Sequence, residues 1–418
     1  MAYKLTKTAV VCARINRMKK KDKIRLIDFL KLSAGCDIWI LLAILLLSLG
    51  GTVMIGSASM GLNIGNSLSL AVTVVKQLVF VVAGYFMMCF ASHHFRIHQI
   101  TGSGFVSVMF LMEGVLLACR LFIPAGGAYA WIRIPFPYAE ITIQPSEFTK
   151  IIAVLILAAY LGDSRRRNRT FVEMCRVPVG MILIYLFTII FVQKDFGSAA
   201  VMLMICFVVA LIPKHPSLKK AQKVFSVLFG IGVAAVVFLI SPYGMKFIES
   251  LPLMTYQKNR FLSAINPFID QYGDGYQLVN GLISFATGGL FGVGFGKSIQ
   301  KYTNFPAANT DFILAVLVEE TGFIGFLGLM GLYTLLIVRL FLYANRIRSE
   351  RAKMILVGTA MYFLVHMFLN IGGVTGLIPL TGVPLPLMSA GGSSAMAMML
   401  AVGICQAVIS QYHKGEIE

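Results

Sequence analysis

A chain of 418 residues that is 58% hydrophobic and 13% charged, with a mean hydropathy of +0.81, cannot clothe a water-facing surface, because soluble domains carry about 25% charged residues. Its net charge of +18 sits in short clusters between apolar runs. That is the pattern of loops facing anionic lipid, and without a basic stripe bearing interleaved aromatics it excludes a nucleic-acid partner.

In chain order, residues 1–37 carry ten Lys/Arg, including Lys19-Lys20-Lys21. Ile24, Ile27, Leu30 and Lys31 suggest a short amphipathic helix lying on the membrane. The apolar run that follows is too long for a cleaved signal peptide and reads as a retained anchor. A span needs about 20 apolar residues, and ten segments qualify: 38–58, 71–91, 101–123, 146–162, 178–193, 196–212, 224–241, 311–342, 354–378 and 391–411. The cysteines Cys12, Cys36, Cys89, Cys119, Cys175, Cys206 and Cys405 include no CxxC pair, so they read as small buried hydrophobes, not as disulfides or a zinc site.

Loop charge sets the orientation. Residues 1–37, Arg96, Arg165 to Arg176, Lys214 to Lys223 and Arg346 to Lys353 are basic, whereas 59–70 and 379–390 hold no Lys or Arg and 124–145 hold only Arg133. The expected fold is therefore an all-α polytopic membrane protein of about ten helices with both termini cytoplasmic. It divides into a basic segment 1–37, a membrane domain 38–411 and a tail 412–418. Residues 242–310 form one large extracytoplasmic loop, whose apolar stretch Leu282 to Phe295 is expected to pack back against the membrane. No internal repeat supports an inverted-repeat transporter.

Ionisable residues at membrane depth are functional candidates. Glu147 and Lys150 lie i, i+3 at the outer end of span four. Asp195 occupies a short outer hairpin, Asp270 the long loop and Asp311 the outer end of span eight, with Glu319 and Glu320 deeper in that span. Most of these point to one cavity open to the outer leaflet; Glu113, in span three, has no place in it. The competing reading is that such acids merely cap helix N-termini, and for Asp270 that it is a solvated turn residue. Gly292 to Ser298 fails the Walker A spacing, because Phe291 stands where glycine is required, and reads as a tight turn or close helix packing. Pro384 to Ser394 reads as a bent entry into span ten. Either its free amides bind an anion such as pyrophosphate, or Gly391-Gly392-Ser393-Ser394 is a close-packing signal.

Four blocks carry a resemblance. They are Gly127…Trp131-Ile132 with Gln144-Pro145-Ser146-Glu147-Phe148-Thr149-Lys150; Gln193-Lys194-Asp195-Phe196-Gly197-Ser198; Asn266-Pro267…Asp270…Gly273-Asp274-Gly275-Tyr276-Gln277 through Asn309-Thr310-Asp311-Phe312 to Glu319-Glu320-Thr321-Gly322; and Thr381 to Ser394. In this order they resemble the SEDS family of FtsW/RodA/SpoVE-type peptidoglycan glycosyltransferases, most closely its division branch. The chain departs from the family pattern at Lys194, Ser198, Ala307, Asn309 and Ala390, where Pro, Thr, Glu, His and Tyr are usual.

The resemblance implies polymerisation of lipid II into glycan strands at the outer face of the bacterial cytoplasmic membrane, by an inverting displacement. Asp270 would be the catalytic base. Lys150 and Arg260, with a divalent cation (Mg or Mn), would face the pyrophosphate. Glu147, Asp195, Gln277, Asp311, Glu319, Glu320 and Ser393 would complete the substrate site. Implied partners are lipid II, undecaprenyl-type lipid, a class B penicillin-binding protein and other division proteins. A lipid II flippase, an elongation role and an inactive scaffold are the alternatives.

Overall fold

A computed structural model describes residues 31–64, 66–124, 127–135, 140–162, 170–241, 243–244, 266–273, 275–303 and 305–418. The suggested amphipathic helix, apart from Lys31, the arginines at 165, 166, 167 and 169, and Arg260 and Asp274 lie outside the described residues.

Eleven α-helices occur among the described residues. They are α1 (Ile38–Leu62), α2 (Ser67–His94), α3 (Ser103–Ala118), α4 (Pro145–Leu161), α5 (Phe171–Phe187), α6 (Phe196–Ala210), α7 (Lys219–Ile240), α8 (Tyr276–Gly288), α9 (Ile313–Arg346), α10 (Glu350–Val374) and α11 (Gly392–His413). All but α8 match the ten expected spans in order. Eight are long and apolar enough to cross a bilayer, α3 and α5 together with the turns that continue them to Leu121 and Val192. The other two, α4 and α6, have 17 and 15 residues. Boundaries moved most at α5, which begins seven residues before the expected 178 and carries Pro178 inside it. The capping box of Thr170 and Glu173 starts this helix in polar sequence, which an apolar-run count cannot register.

One feature departs from the all-α expectation. In the stretch 124–145, Ile132–Pro135 (β1) pairs antiparallel with Glu140–Ile143 (β2), Ile132 facing Ile143. The alternation Ile-Arg-Ile against Ile-Thr-Ile is a period-two signal. Arg133 and Glu140 approach to 3.5 Å across the pair.

Small residues set the closest helix contacts, as membrane packing favours. The parallel helices α2 and α11 meet at Gly84 and Gly403. A methyl group on Gly403 would lie 2.4 Å from the Met88 carbonyl oxygen. At the other end of the bundle, Asp37 caps α1 by accepting from the amides of Trp39 and Ile40 at 2.8 and 3.0 Å. Its second oxygen takes the Arg339 Nε–H at 3.0 Å and the Tyr343 hydroxyl at 2.9 Å. Gln406 bonds the Asp37 backbone on both sides, so α1, α9 and α11 share one polar joint.

The decisive departure from regularity is in α9. Gly322 has φ +71° and ψ −171° and breaks the helix. A break at membrane depth exposes backbone groups that lipid cannot satisfy. The glycine-rich segment after α8 satisfies them: the amides of Phe323 and Ile324 donate to Gly289 and Leu290 carbonyls, and those of Val293 and Gly294 donate to Glu319 and Glu320 carbonyls, all within 2.9–3.2 Å. The approach requires glycine. A Cβ on Gly292, at φ +76°, would lie 2.2 Å from the Glu320 carbonyl oxygen. This part of the long loop thus packs against α9 at its break.

The side chains at the break lock the same segment. Glu319 accepts from the Ser298 hydroxyl at 2.5 Å and from the Ile299 and Gln300 amides at 2.8 and 3.3 Å. Lys301 and Glu320, both fully buried, pair at 2.8 Å. Ser57 of α1 donates to Glu320 Oε1 at 2.6 Å and accepts from Lys301 Nζ at 3.0 Å. Lys301 also donates to the Gly296 carbonyl at 2.8 Å.

Removing one partner of such a pair strands a buried charge and costs about 3–5 kcal/mol, whereas replacing both with apolar groups of similar volume is often near neutral. Lys301→Met alone should therefore lower the detergent-solubilised melting temperature sharply, and Lys301→Met with Glu320→Met should recover most of it. A double variant as unstable as the single one would contradict this account of the joint.

Candidate functional site

A cavity of about 2300 Å³ opens within the bundle. One flank is apolar: Leu183 and Leu186 of α5, Leu203 and Phe207 of α6, and Phe225 and Phe229 of α7. The other is polar and includes Gln144, Glu147, Lys150, Asp195, Asp311 and Ser393.

The polar flank is built on the start of α4. Pro145 occupies its first turn, where a missing N–H costs nothing. One turn on, Glu147 and Lys150 are 3% and 2% exposed and pair at 2.7 Å. Two residues of α10 complete the cluster. The Tyr362 hydroxyl donates to Glu147 Oε2 at 2.5 Å, and His366 Nε2 lies 3.3 Å from Lys150 Nζ. His366 Nδ1 lies 2.9 Å from the Tyr362 carbonyl oxygen, which can only accept. The proton therefore sits on Nδ1, leaving Nε2 to accept from the ammonium. Lys150 is thus held by groups on two helices and lines the cavity.

Asp195 caps α6 through the Ser198 amide at 3.0 Å and accepts from Gln144 Nε2 at 2.7 Å. Ser146 and Ser198 hydroxyls lie 3.3 Å apart, so the first two sequence blocks are bonded to each other. Lys194, at φ +59°, occupies a conformation closed to the proline usual there. Asp311 precedes α9 and lines the cavity beside the Thr381 to Gly391 strap. Asn370 Nδ2 ties the Asp311 and Val383 carbonyls at 2.8 and 2.9 Å, and the Ser389 hydroxyl donates to Thr310 O at 2.6 Å.

The structure therefore brings together Glu147, Lys150, Asp195, Asp311 and Ser393. It does not bring Glu319 and Glu320 to the cavity; they hold the glycine-rich segment. Gln277 is half-buried in the first turn of α8, outside the cavity lining. Asp270 ends a short 3₁₀ helix, Pro267–Asp270, and is exposed. Its carboxylate accepts from the Gly273 amide at 3.0 Å, the turn-closing geometry of the simpler reading. A Cβ on Gly273 would lie 2.2 Å from that carboxylate. Six residues on, Tyr276 bonds the Thr303 carbonyl, and six residues beyond Thr303 the chain reaches the cavity wall at Asn309. Glu113 bonds the Thr188 hydroxyl at 2.5 Å, where α5 passes into a π-turn, Thr188–Val192.

Tyr362 and His366 were missed by the sequence reading, although their i, i+4 spacing and a histidine inside an apolar run were visible signals. Among the described residues no three His, Cys, Asp or Glu side chains cluster to hold a metal ion. Glu147 and Asp195 are already committed to protein donors, so the residues present do not fit a preformed cation cage.

The cell cycle protein family model of FtsW, RodA and SpoVE matches residues 37–414. Stage V sporulation protein E of Bacillus subtilis (strain 168) is 34% identical over 300 residues, covering 72% of this chain and 75% of its own. A probable peptidoglycan glycosyltransferase FtsW of Coxiella burnetii is 32% identical over 381 residues, covering 89% and 96%. The fold is shared with a chain of a solved peptidoglycan synthase complex (TM-score 0.65, 24% identity, 91% of this chain and 99% of that one). It is shared also with Thermus thermophilus RodA (TM-score 0.58, 23% identity, 90% and 97%). The chain belongs to the FtsW/RodA/SpoVE family and is a multi-pass protein of the bacterial membrane.

Proposed function

We propose that this protein is a peptidoglycan glycosyltransferase that polymerises lipid II into glycan strands at the outer face of the cytoplasmic membrane, in septal wall synthesis. The carrying observation is the cavity's double character: an apolar flank suited to a polyprenyl chain runs into a polar flank suited to a charged sugar-pyrophosphate head. The names of the FtsW relatives support the reading. The scarcity of Lys and Arg in 59–70, 124–145 and 379–390 supports placing the polar flank outside.

The reaction displaces a lipid pyrophosphate from an anomeric carbon by a sugar hydroxyl, with inversion. Three tasks follow. A base takes the hydroxyl proton, a role we assign to Asp270, held in its turn by the Gly273 amide. Positive charge meets the departing pyrophosphate, a role we assign to Lys150, positioned by Glu147, Tyr362 and His366, with Arg260 as a second candidate. Asp195 and Asp311 line the head-group end. A divalent cation, where one takes part, would arrive with the pyrophosphate, since a hard cation is commonly bound through substrate phosphates. A class B penicillin-binding protein is the proposed partner, supported by the shared fold with a chain of a peptidoglycan synthase complex that polymerises and crosslinks.

Losing a positioned general base costs about 10²- to 10⁴-fold. Asp270→Asn should lower strand synthesis from purified lipid II by at least the smaller factor while the protein melts as the wild type does; undiminished polymer sinks the assignment, and no polymer from the wild type sinks the enzyme reading in favour of a flippase or scaffold. Tyr362→Phe removes one hydrogen bond to a charged group, worth about 1.5 kcal/mol. It should slow polymerisation about tenfold without unfolding the bundle, as an initial-rate assay would show.

A further inference from the structure

The start of α11 borders the cavity through Gly391, Gly392, Ser393 and Ser394. Its N-cap, Gly391, offers no side-chain cap. The first α-helical bond at this end runs from the Ala395 amide to the Gly391 carbonyl at 3.0 Å, and the Ser394 hydroxyl is spent on the same carbonyl at 2.9 Å. The amides of Gly392, Ser393 and Ser394 precede the helical ladder and face an end where the dipole favours negative charge.

A second observation comes from α2. Gln77 is 4% exposed and lines the cavity. Its Nε2 is buried without a partner, and its amide makes no side-chain hydrogen bond among the described residues. Other orphaned atoms, such as those of Glu113, Gln193 and Asn370, belong to side chains that bond through their other atom. The position of Gln77 is set by the packing of the two helices. Phe80 rests on Gly392, where an added Cβ would lie 2.2 Å from the ring. Because α2 and α11 run parallel, Gln77, three residues before Phe80 on the same face, stands about 4.5 Å beyond the α11 terminus. The glycine at 392 is thus a close-packing residue, and the closeness brings Gln77 and the helix end to the same cavity. Lys76 lines the same cavity, its ammonium fixed on the Glu140 carbonyl at 2.5 Å.

We propose that the α11 N-terminus, Gln77 and Lys76 form a seat for the pyrophosphate of a polyprenyl-linked ligand, separate from Lys150. This rests on the polymerase reading, and it deepens it. Strand growth needs two pyrophosphate lipids in the cavity together, a donor and an acceptor, and Lys150, paired with Glu147 at 2.7 Å, is one cation for the two. The uncapped helix end supplies amide donors for the second pyrophosphate, and the lipid anchor runs toward the apolar flank.

The test is equilibrium binding of undecaprenyl pyrophosphate to the purified full-length protein, without turnover. Gln77→Leu should weaken binding about tenfold, the loss of a hydrogen bond to a charged group, and Gln77→Glu more. Lys76→Met, on the half-exposed rim, should weaken it about fivefold, as for one cation near a lipid phosphate, which keeps the proposal testable if position 77 variants fail to fold. Unliganded Gln77→Leu should melt no lower than wild type, because an unpartnered buried amide is lost. Undecaprenol should bind all variants alike. Inorganic pyrophosphate should compete weakly in wild type and less in Gln77→Leu. Unchanged affinity in the folded position 77 and 76 variants overturns the seat, and inorganic pyrophosphate binding as tightly as the lipid overturns the lipid head group as its occupant. Gln77-dependent binding with no polymer formed would sink the polymerase reading alone.

Discussion

Within a bilayer a polar group must find its partner inside the protein, because the surrounding hydrocarbon offers none. Most of what is irregular in this chain answers that constraint. The α9 break at Gly322 frees backbone groups, and the glycine-rich segment from Gly289 to Gly296 is drawn in to bond them. Lys301 and Glu320 enter the core only as a pair with Ser57 attached. Two places where the constraint is left unmet, the start of α11 and Gln77, border the cavity.

This separates two classes of acid that look alike in a string of letters. Glu319 and Glu320 are spent on architecture: among the described residues their carboxylates bond the segment after α8 and α1. Glu147, Asp195 and Asp311 line the cavity, and the first two are held by neighbours that leave them facing it. The distinction matters for reading variants. Loss at 319 or 320 should act on folding, whereas loss at 147 acts first on the geometry of Lys150.

The polytopic helical class and the order of its apolar helices were legible because a membrane helix announces itself by composition over some 20 residues. So was the residue set at the head of α4, because i, i+3 spacing is local. The features that were not legible are long-range. Tyr362 lies 215 residues from Glu147 and Ser57 lies 263 from Glu320, and no local pattern encodes such pairings. Gly292 to Ser298, which fails the phosphate-loop spacing, reads as a tight turn or close helix packing; its partner, the break in α9 at Gly322, was not legible because a lone glycine within a long span is no sign of a break. The hairpin Ile132–Pro135 with Glu140–Ile143 was missed because each strand has only four residues. Gln77 carried no signal at all; its meaning comes from having no partner.

The central claim is that the polar flank of the cavity and the Asp270 turn face the outside, where lipid-linked disaccharide is consumed. Labelling in intact cells of a single cysteine at Tyr272, which is 85% exposed beside that turn, with a membrane-impermeant maleimide tests it most directly. The account predicts modification of Tyr272→Cys without permeabilisation and above the background of the chain's own cysteines. Labelling that appears only after the membrane is opened would put the turn in the cytosol and contradict the account.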